Sequence, residues 1–186
     1  YSKALEIFNY TDTEIELSGY EIWKVTNSEG DWTDNNGEES YALNLGGSVI
    51  PPNDVLVLCH TSFDANQQSI CDIVNGSPVN FNGNDAILLL KGTDTVDIFG
   101  EIGNDPGPTG WEGLTADMTW VRKSTISEGL KSNPNAFDPF EEWNFTVVDD
   151  TADLGMHSSN CNNCVFQGDT LDVTVCSGEN VFYRDT

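Results

Sequence analysis

Alternating apolar and polar residues dominate the first part of the chain and recur along most of its length. In residues 3–20 the side chains alternate with a period of two, and Ser18-Gly19 closes the second apolar run. Such alternation is typical of strands that bury one face. Turn residues, such as Asn82-Gly83, separate these alternating segments. The predicted strands are residues 5–9, 14–17, 20–26, 41–45, 55–59, 86–91, 96–99, 119–123 and 143–148.

These short strands predict an all-β protein, because helical periodicity is nearly absent. The one helical candidate is residues 62–68, where Ser62 is a suitable N-cap. After residue 157 the chain becomes polar and rich in cysteine, and two strand-like pieces follow at 171–176 and 181–184. We therefore expect a β-sandwich of about eight to nine strands over residues 1–157. Residues 158–186 are expected to form a cysteine-bearing β-hairpin appendage, either the start of another module or strands that dock on a sheet edge.

Several motifs occur in the order found in the lamin tail domain family, which the chain resembles over residues 3–157. They are KALEIFNYTDTEIELSGY (3–20), IPPNDVLVLCH (50–60), FNGNDAILLLKG (81–92), VDIFG (96–100), TWVRKSTI (119–126), FDPFEEW (137–143) and DLGMH (153–157). The resemblance implies an immunoglobulin-like β-sandwich. Family members usually carry one more strand before the first motif, so a sheet edge is expected to be open here. A strand from residues 171–184, of this chain or a neighbouring one, would fill it by β-augmentation.

The charge of the chain is strongly negative and narrows the choice of partners. There are 31 Asp and Glu residues against 7 Lys and Arg residues, which gives a formal net charge of −24. Affinity for nucleic acids comes largely from cations that displace counterions, so a nucleic-acid partner is not expected. Anionic membrane surfaces are disfavoured for the same reason. The chain has no apolar run of about 18 residues, so membrane insertion is not expected either.

The cysteines and glycosylation sequons favour a secreted glycoprotein, located outside the cell or at its surface. The cysteines are Cys59, Cys71, Cys161, Cys164 and Cys176, and the sequons begin at Asn9, Asn75 and Asn144. We expect a Cys59–Cys71 disulfide and a second one between Cys176 and either Cys164 or Cys161. A redox pair or half of a zinc site at Cys161 and Cys164 is the less favoured alternative.

Two acidic loops suggest calcium as the one cofactor to consider, because calcium takes 6 to 8 oxygen ligands from flexible loops. The first loop carries Asp94, Asp97, Glu101, Asn104 and Asp105. The second carries Asp31, Asp34, Asn35, Asn36 and Glu38. Plain solvated turns are the alternative interpretation of both loops.

The tryptophans divide into expected core residues and candidate binding residues. Trp23, Trp120 and Trp143 lie in predicted strands and are expected to be buried. Trp32 and Trp111 lie in loops rich in Gly and Asp, so we expect them to be exposed and able to stack on glycans. The two histidines, His60 and His157, lie in no nucleophile motif, and no catalytic residue is predicted.

The sequence thus favours a secreted, non-catalytic structural or adhesive module and suggests that it is a subunit of an extracellular assembly. Its expected partners are other proteins or copies of itself, through the sheet edge and the terminal hairpin, and glycans are a further candidate. The alternative is an accessory domain that tethers a larger secreted hydrolase, such as a nuclease, or binds glycans for it. The family resemblance implies this second role, because extracellular lamin tail domains are found beside such enzymes.

Overall fold

The computed structural model describes residues 3–30, 42–126, 128–148 and 150–158, and the backbone of residues 179–184. The described strands are β1 (Ala4–Asn9), β2 (Ile15–Glu16), β3 (Tyr20–Val25), β4 (Ala42–Asn44), β5 (Val49–Ile50), β6 (Asp54–His60), β7 (Ile73–Asn75), β8 (Ala86–Lys91), β9 (Asp94–Phe99), β10 (Thr119–Arg122), β11 (Trp143–Thr146) and β12 (Glu179–Arg184). One short α-helix, α1 (Pro139–Glu142), precedes β11. Strands predominate, which confirms the predicted all-β sandwich.

The strands form three sheets. The six-stranded sheet has the order β11-β10-β12-β1-β6-β7, the four-stranded sheet has the order β4-β3-β8-β9, and β2 pairs with β5. Most neighbours are antiparallel, whereas β6 and β7 are parallel. Each of the nine predicted strands is present, with ends within two residues of the prediction. The strands β5 and β7 were not predicted; they have two and three residues.

The position of the predicted helix at residues 62–68 was wrong. Residues 62–67 form turns, and a 3-10 helix follows at Gln68–Ile70. The helix α1 was missed, although its start follows a common rule. Asp138 is its N-cap and accepts a hydrogen bond from the backbone N–H of Phe140 at 2.8 Å, while Pro139 occupies the first turn.

The main core lies between the six-stranded and four-stranded sheets. Leu5 and Ile7 of β1 are buried there together with Ile22 of β3 and Leu88 of β8. An aromatic group extends this core around the ring of Phe99. The centroid of that ring lies 6.0 Å from Trp111, 6.5 Å from Trp120, 5.1 Å from Phe137 and 5.1 Å from Trp143. Trp120 and Trp143 are therefore core residues, as predicted, while Trp23 is only partly buried.

The outer face of the six-stranded sheet is covered by a second, smaller cluster. Its buried members are Ala4, Val57, Cys59, Phe63 and Leu154. The predicted disulfide between Cys59 and Cys71 is present beside them. The backbone N–H of Gly155 donates to the buried carboxylate of Glu6 at 2.6 Å, which holds the segment around Leu154 on the sheet. Both faces of β1 are thus covered, which explains why all six of its residues are buried.

Strand β12 lies inside the six-stranded sheet. It pairs with β1 along its whole length, from Ala4 opposite Arg184 to Asn9 opposite Glu179. On its other side it pairs with β10, where Thr119 lies opposite Arg184. Residues 179–184 therefore dock beside β1, while the division of the chain at residue 157 stays a prediction. The predicted strand at 171–176 lies outside the described residues, and independent folding of residues 1–157 stays a prediction.

Candidate functional sites

A patch of exposed apolar side chains lies on β11 and on the residues just before and after it, at one edge of the six-stranded sheet. We call Phe140, Phe145, Val147 and Val148 the aromatic edge patch. Phe140 is 39% exposed and Phe145 is 44% exposed, and their ring centroids are 5.8 Å apart. The buried ring of Trp120 supports both, at 5.5 and 5.4 Å. Within the described part of the chain β11 has no strand on its outer side.

An exposed edge that combines free backbone groups with apolar side chains is a surface that other strands or proteins can bind. This patch was not predicted, because the exposed aromatic residues expected from the sequence were Trp32 and Trp111. The sequence signal was the pair Val147-Val148, which ends the predicted strand at 143–148 and lies beyond the observed end of β11.

Trp111 was expected to be exposed, and this expectation was wrong. Its side chain is 4% exposed and packs edge-on against the rings of Phe99 and Phe137, at 6.0 and 5.3 Å. The loop can fold in this way because residue 100 is glycine. A Cβ atom on Gly100 would lie 2.5 Å from the ring of Trp111. Trp32, the other candidate for glycan stacking, lies outside the described residues.

The structure does not bring together the first predicted set of calcium ligands. Asp97 is fully buried and forms an ion pair with Arg122, so its carboxylate is not available in a loop. Glu101 accepts a hydrogen bond from the backbone N–H of Phe137 at 3.3 Å. Asp94 is exposed at the start of β9, while Asn104 and Asp105 lie in the following loop. The prediction of one site from Asp94, Asp97, Glu101, Asn104 and Asp105 was therefore wrong.

The described residues also contain no other cluster of carboxylate, imidazole and thiol groups that would hold a metal ion. In that part of the chain no group of three or more His, Cys, Asp or Glu residues has the geometry of a metal site. The second predicted loop, with Asp31, Asp34, Asn35, Asn36 and Glu38, lies outside the described residues, as do Cys161, Cys164 and Cys176.

Arg122 is the centre of a buried group of charges that connects the two main sheets. Its Nη2 atom lies 2.9 Å from Oδ1 of Asp97 on β9 and 3.3 Å from Oε2 of Glu142 on α1. Its Nη1 atom donates to the carbonyl of Glu128, and its guanidinium lies 4.4 Å from the centroid of the Trp143 ring. Burial raises the pKa of Glu142, although the charge of Arg122 opposes this rise. These contacts give Arg122 a structural role.

The sequon at Asn9 does not offer a glycosylation site in this fold, so that part of the prediction was wrong. The side chain of Asn9 is buried, and its Nδ2 atom donates to the carbonyls of Thr13, Ile50 and Pro51 at 2.8–3.0 Å. A glycan would have to be attached to this same nitrogen atom. Asn75 is partly exposed and Asn144 is exposed on β11, so both remain candidate acceptors.

A polar groove of about 430 Å³ lies on the outer face of the six-stranded sheet, between β10, β11 and the segment that follows residue 150. Its lining includes Val121, Ser124, Asn144, Asp153, Met156 and His157. The ring of His157 also packs edge-on against Phe8, with the centroids 4.8 Å apart. The groove therefore offers hydrogen-bonding groups beside a candidate glycan acceptor.

The other histidine forms a local contact. Nδ1 of His60 lies 2.6 Å from Oγ of Ser62. It also accepts a hydrogen bond from the backbone N–H of Ser62 at 3.1 Å. Burial and the charge of Lys3 lower the pKa of His60. A catalytic serine needs a histidine that is itself oriented by a third group. The described contacts of His60 form a turn of two residues and do not supply that arrangement.

Comparisons with protein-family models, curated proteins and solved structures give no match to this chain. In the described residues, no helix has the length and apolar character that a membrane-spanning segment needs.

Proposed function

We propose that this chain is a non-catalytic structural or adhesive module of an extracellular protein, and that it associates with other copies through its six-stranded sheet. The observation that carries this proposal is the position of β12. The last described strand lies between β1 and β10 and hydrogen-bonds to both. The sheet would lose its continuity without it, because β10 and β11 would be separated from β1.

A strand in this position can be supplied by the same chain or by a neighbour. Residues 159–178 separate β12 from the preceding described segment. Twenty residues can span at most about 66–72 Å when fully extended, which is enough to reach an adjacent copy. The pairing with β1 uses backbone groups that are identical in every copy. Exchange of an identical element between copies is a low-cost route to oligomers.

The aromatic edge patch supplies a second surface for association. In the part of the chain that the structure describes, β11 is the outermost strand of the sheet, and the exposed rings of Phe140 and Phe145 lie beside it. Backbone pairing along this edge and burial of the rings would both favour contact with another strand. The two surfaces together allow more than two copies to join.

An extracellular location is part of the proposal. The Cys59–Cys71 disulfide favours an oxidising compartment, and the net charge of −24 favours solubility at high ionic strength. The resemblance to extracellular lamin tail domains points in the same direction.

Glycan binding as an accessory domain of a larger secreted hydrolase is the second candidate function. The adjacent exposed rings of Phe140 and Phe145 favour it, because aromatic faces can stack on sugars. A glycan array tests this directly. Binding that is lost in Phe140→Ala and Phe145→Ala and retained in Val74→Ala would support a glycan site at this patch. An array with no binding would exclude the site for the glycans present.

Strand exchange is tested by mixing full-length chains that carry two different affinity tags. The chains are unfolded and reduced, mixed, refolded under oxidising conditions, and analysed by light scattering and pull-down through one tag. We expect mixed oligomers that carry both tags. Val181→Pro removes a backbone donor from β12 opposite Ile7 and should abolish them, whereas Val181→Thr keeps that donor and should retain them. Oligomers that tolerate Val181→Pro would contradict exchange through β12.

The contribution of the aromatic edge patch needs a separate variant. Phe145→Lys places a charge at this edge, and Val74→Lys places one at the opposite edge of the same sheet, on β7. The two positions are matched, since Phe145 is 44% exposed and Val74 is 46% exposed. We expect only Phe145→Lys to reduce the size of the oligomers. Monomers under all conditions, in the parent chain as well, would overturn the proposed self-association.

A further inference from the structure

The polar groove on the outer face of the six-stranded sheet lies over two paired strands. Val121 of β10 and Asn144 of β11 are directly opposite in the antiparallel register, and both line the groove. Side chains that are opposite in this way lie on the same face of a sheet, with Cβ atoms about 4.5–5.5 Å apart. The amide of Asn144 therefore lies beside an apolar side chain on the floor of the groove.

A second side of the groove is the turn at residues 153–156 together with His157. The backbone N–H of Met156 donates to the carbonyl of Asp153 at 3.1 Å, which closes this turn. The N–H of Gly155 donates to the buried carboxylate of Glu6 and so attaches the turn to β1. Because these contacts hold this side of the groove in place, a ligand does not have to order it on binding.

The groove combines apolar and polar surface in a way that suits a sugar. Met156 is 63% exposed, and the groove is also lined by Asp153, Ser124 and His157. N-Acetylglucosamine carries an acetamido methyl group and ring C–H groups that pack on apolar side chains, and hydroxyl groups that donate and accept hydrogen bonds. The volume of about 430 Å³ lies in the range of about 300–1,000 Å³ that small-molecule sites have.

Asn144 can carry such a sugar itself. It begins the sequon Asn144-Phe145-Thr146 and is exposed, and within the described residues its side chain forms no hydrogen bond. N-glycosylation joins Nδ2 of the asparagine to C1 of N-acetylglucosamine. The bond from C1 to the diphosphate of a polyprenyl diphosphate donor breaks, and Nδ2 loses one proton. The attached sugar then has a high effective concentration at the groove, so even a weak contact is populated.

We propose that the groove binds the first N-acetylglucosamine residue of an N-linked glycan on Asn144. This inference rests on the extracellular location in the proposed function and is independent of self-association. Asn144 and Phe145 are successive residues of β11, so their side chains point to opposite faces of the sheet. A glycan held in the groove therefore covers Met156 and leaves the exposed ring of Phe145 available to a partner.

The first test is nuclear magnetic resonance of the methyl groups of Met118 and Met156 in the full chain. The protein carries Asn75→Gln to remove the other candidate acceptor and is secreted from a eukaryotic host with isotope-labelled methionine. Endoglycosidase H then trims the glycan to a single N-acetylglucosamine on Asn144, and Asn144→Gln in the same background is the form without sugar. We expect the sugar to shift the methyl signal of Met156 and to show nuclear Overhauser effects to it from the acetamido methyl. The signal of Met118, which packs against the core, should stay unchanged.

Thermal melting supplies the second readout. The trimmed form should melt about 2–4 °C higher than Asn144→Gln, the usual shift for a modest gain in stability in a chain of this size. Met156→Ala should remove much of this gain. Val147→Ala should keep it, because Val147 is exposed to a similar extent, 69% against 63%, and lies outside the groove.

Two results would overturn the groove site. They are an unmodified Asn144, and a Met156 signal that is unchanged in the modified form. Oligomers with an unchanged Met156 signal would overturn the groove site alone, whereas monomers with a shifted signal would support it and overturn self-association alone.

Discussion

Replacement of Arg122 by methionine should strongly destabilise the protein, because it breaks a fully buried ion pair. The side chains of Arg122 and Asp97 are both fully buried, and Nη2 of Arg122 lies 2.9 Å from Oδ1 of Asp97. Arg122→Met keeps an unbranched side chain of useful length and removes the charge. Asp97 would then be a buried carboxylate without a cation, although the backbone N–H groups of Ile98 and Leu130 would still donate to it at 2.9 and 2.8 Å.

The size of the expected loss of stability follows from the charge that remains buried on Asp97. Removal of one partner of a buried ion pair costs about 3–5 kcal/mol, because the remaining charge is not compensated. The two backbone donors that remain place the expected loss at the lower end, at about 3 kcal/mol at pH 7. The guanidinium of Arg122 also lies 4.4 Å from the centroid of the Trp143 ring, and the measured change in unfolding free energy includes the loss of this contact.

Urea unfolding at pH 7, followed by both tryptophan fluorescence and circular dichroism, measures this loss where the two transitions coincide. The double variant Arg122→Met/Asp97→Asn removes the stranded charge and should recover a large part of the lost stability. A loss below about 1 kcal/mol for Arg122→Met would refute the reasoning, since the pair would then not neutralise Asp97. A double variant as unstable as the single variant would refute it as well.

Four further predictions concern stability and modification. Replacement of both Cys59 and Cys71 by alanine should lower the free energy of unfolding by about 3 kcal/mol, because the disulfide closes a loop with a sequence separation of 12. An unchanged midpoint of chemical unfolding would contradict this prediction. Burial raises the pKa of Glu142 in the folded state, so the charged form is disfavoured there; its contribution to stability should rise as the pH falls through the raised pKa and level off below the ordinary value of 4.5. Glu142→Gln should flatten this dependence, and an unchanged pH profile of the unfolding midpoint would argue against it. Asn9→Ala should lower the free energy of unfolding by about 2–3 kcal/mol, because it leaves buried carbonyls without a donor. Glycan mapping after secretion from a eukaryotic host should find Asn144 modified and Asn9 unmodified.

The strands could be predicted from the sequence because their signal is local. An alternating strand such as β1 places Leu5 and Ile7 on one face, and that pattern is visible without knowledge of what covers it. The Cys59–Cys71 disulfide was also predictable, because it closes a short loop beside one strand. By contrast, β5 and β7 were not predicted, and they exist because neighbouring strands pair with them.

The candidate sites were less predictable because they depend on residues that are distant in the sequence. Trp111 has polar neighbours along the chain, and its burial depends on Phe99, Phe137 and the absence of a side chain at Gly100. Asp97 looks like a loop carboxylate until Arg122 is placed beside it. Asn9 matches a sequon, but carbonyls around residue 50 occupy its side chain.

The sequence by itself therefore determined the class of fold, the positions of the main strands and one disulfide. Only the tertiary structure decided that β12 lies between β1 and β10, that Phe140 and Phe145 form an exposed pair, and that Asn144 and His157 line one groove. The physical reason is one of range. Alternation of side chains is set by the geometry of a single strand, whereas burial, ion pairing and sheet order depend on which distant segments pack together.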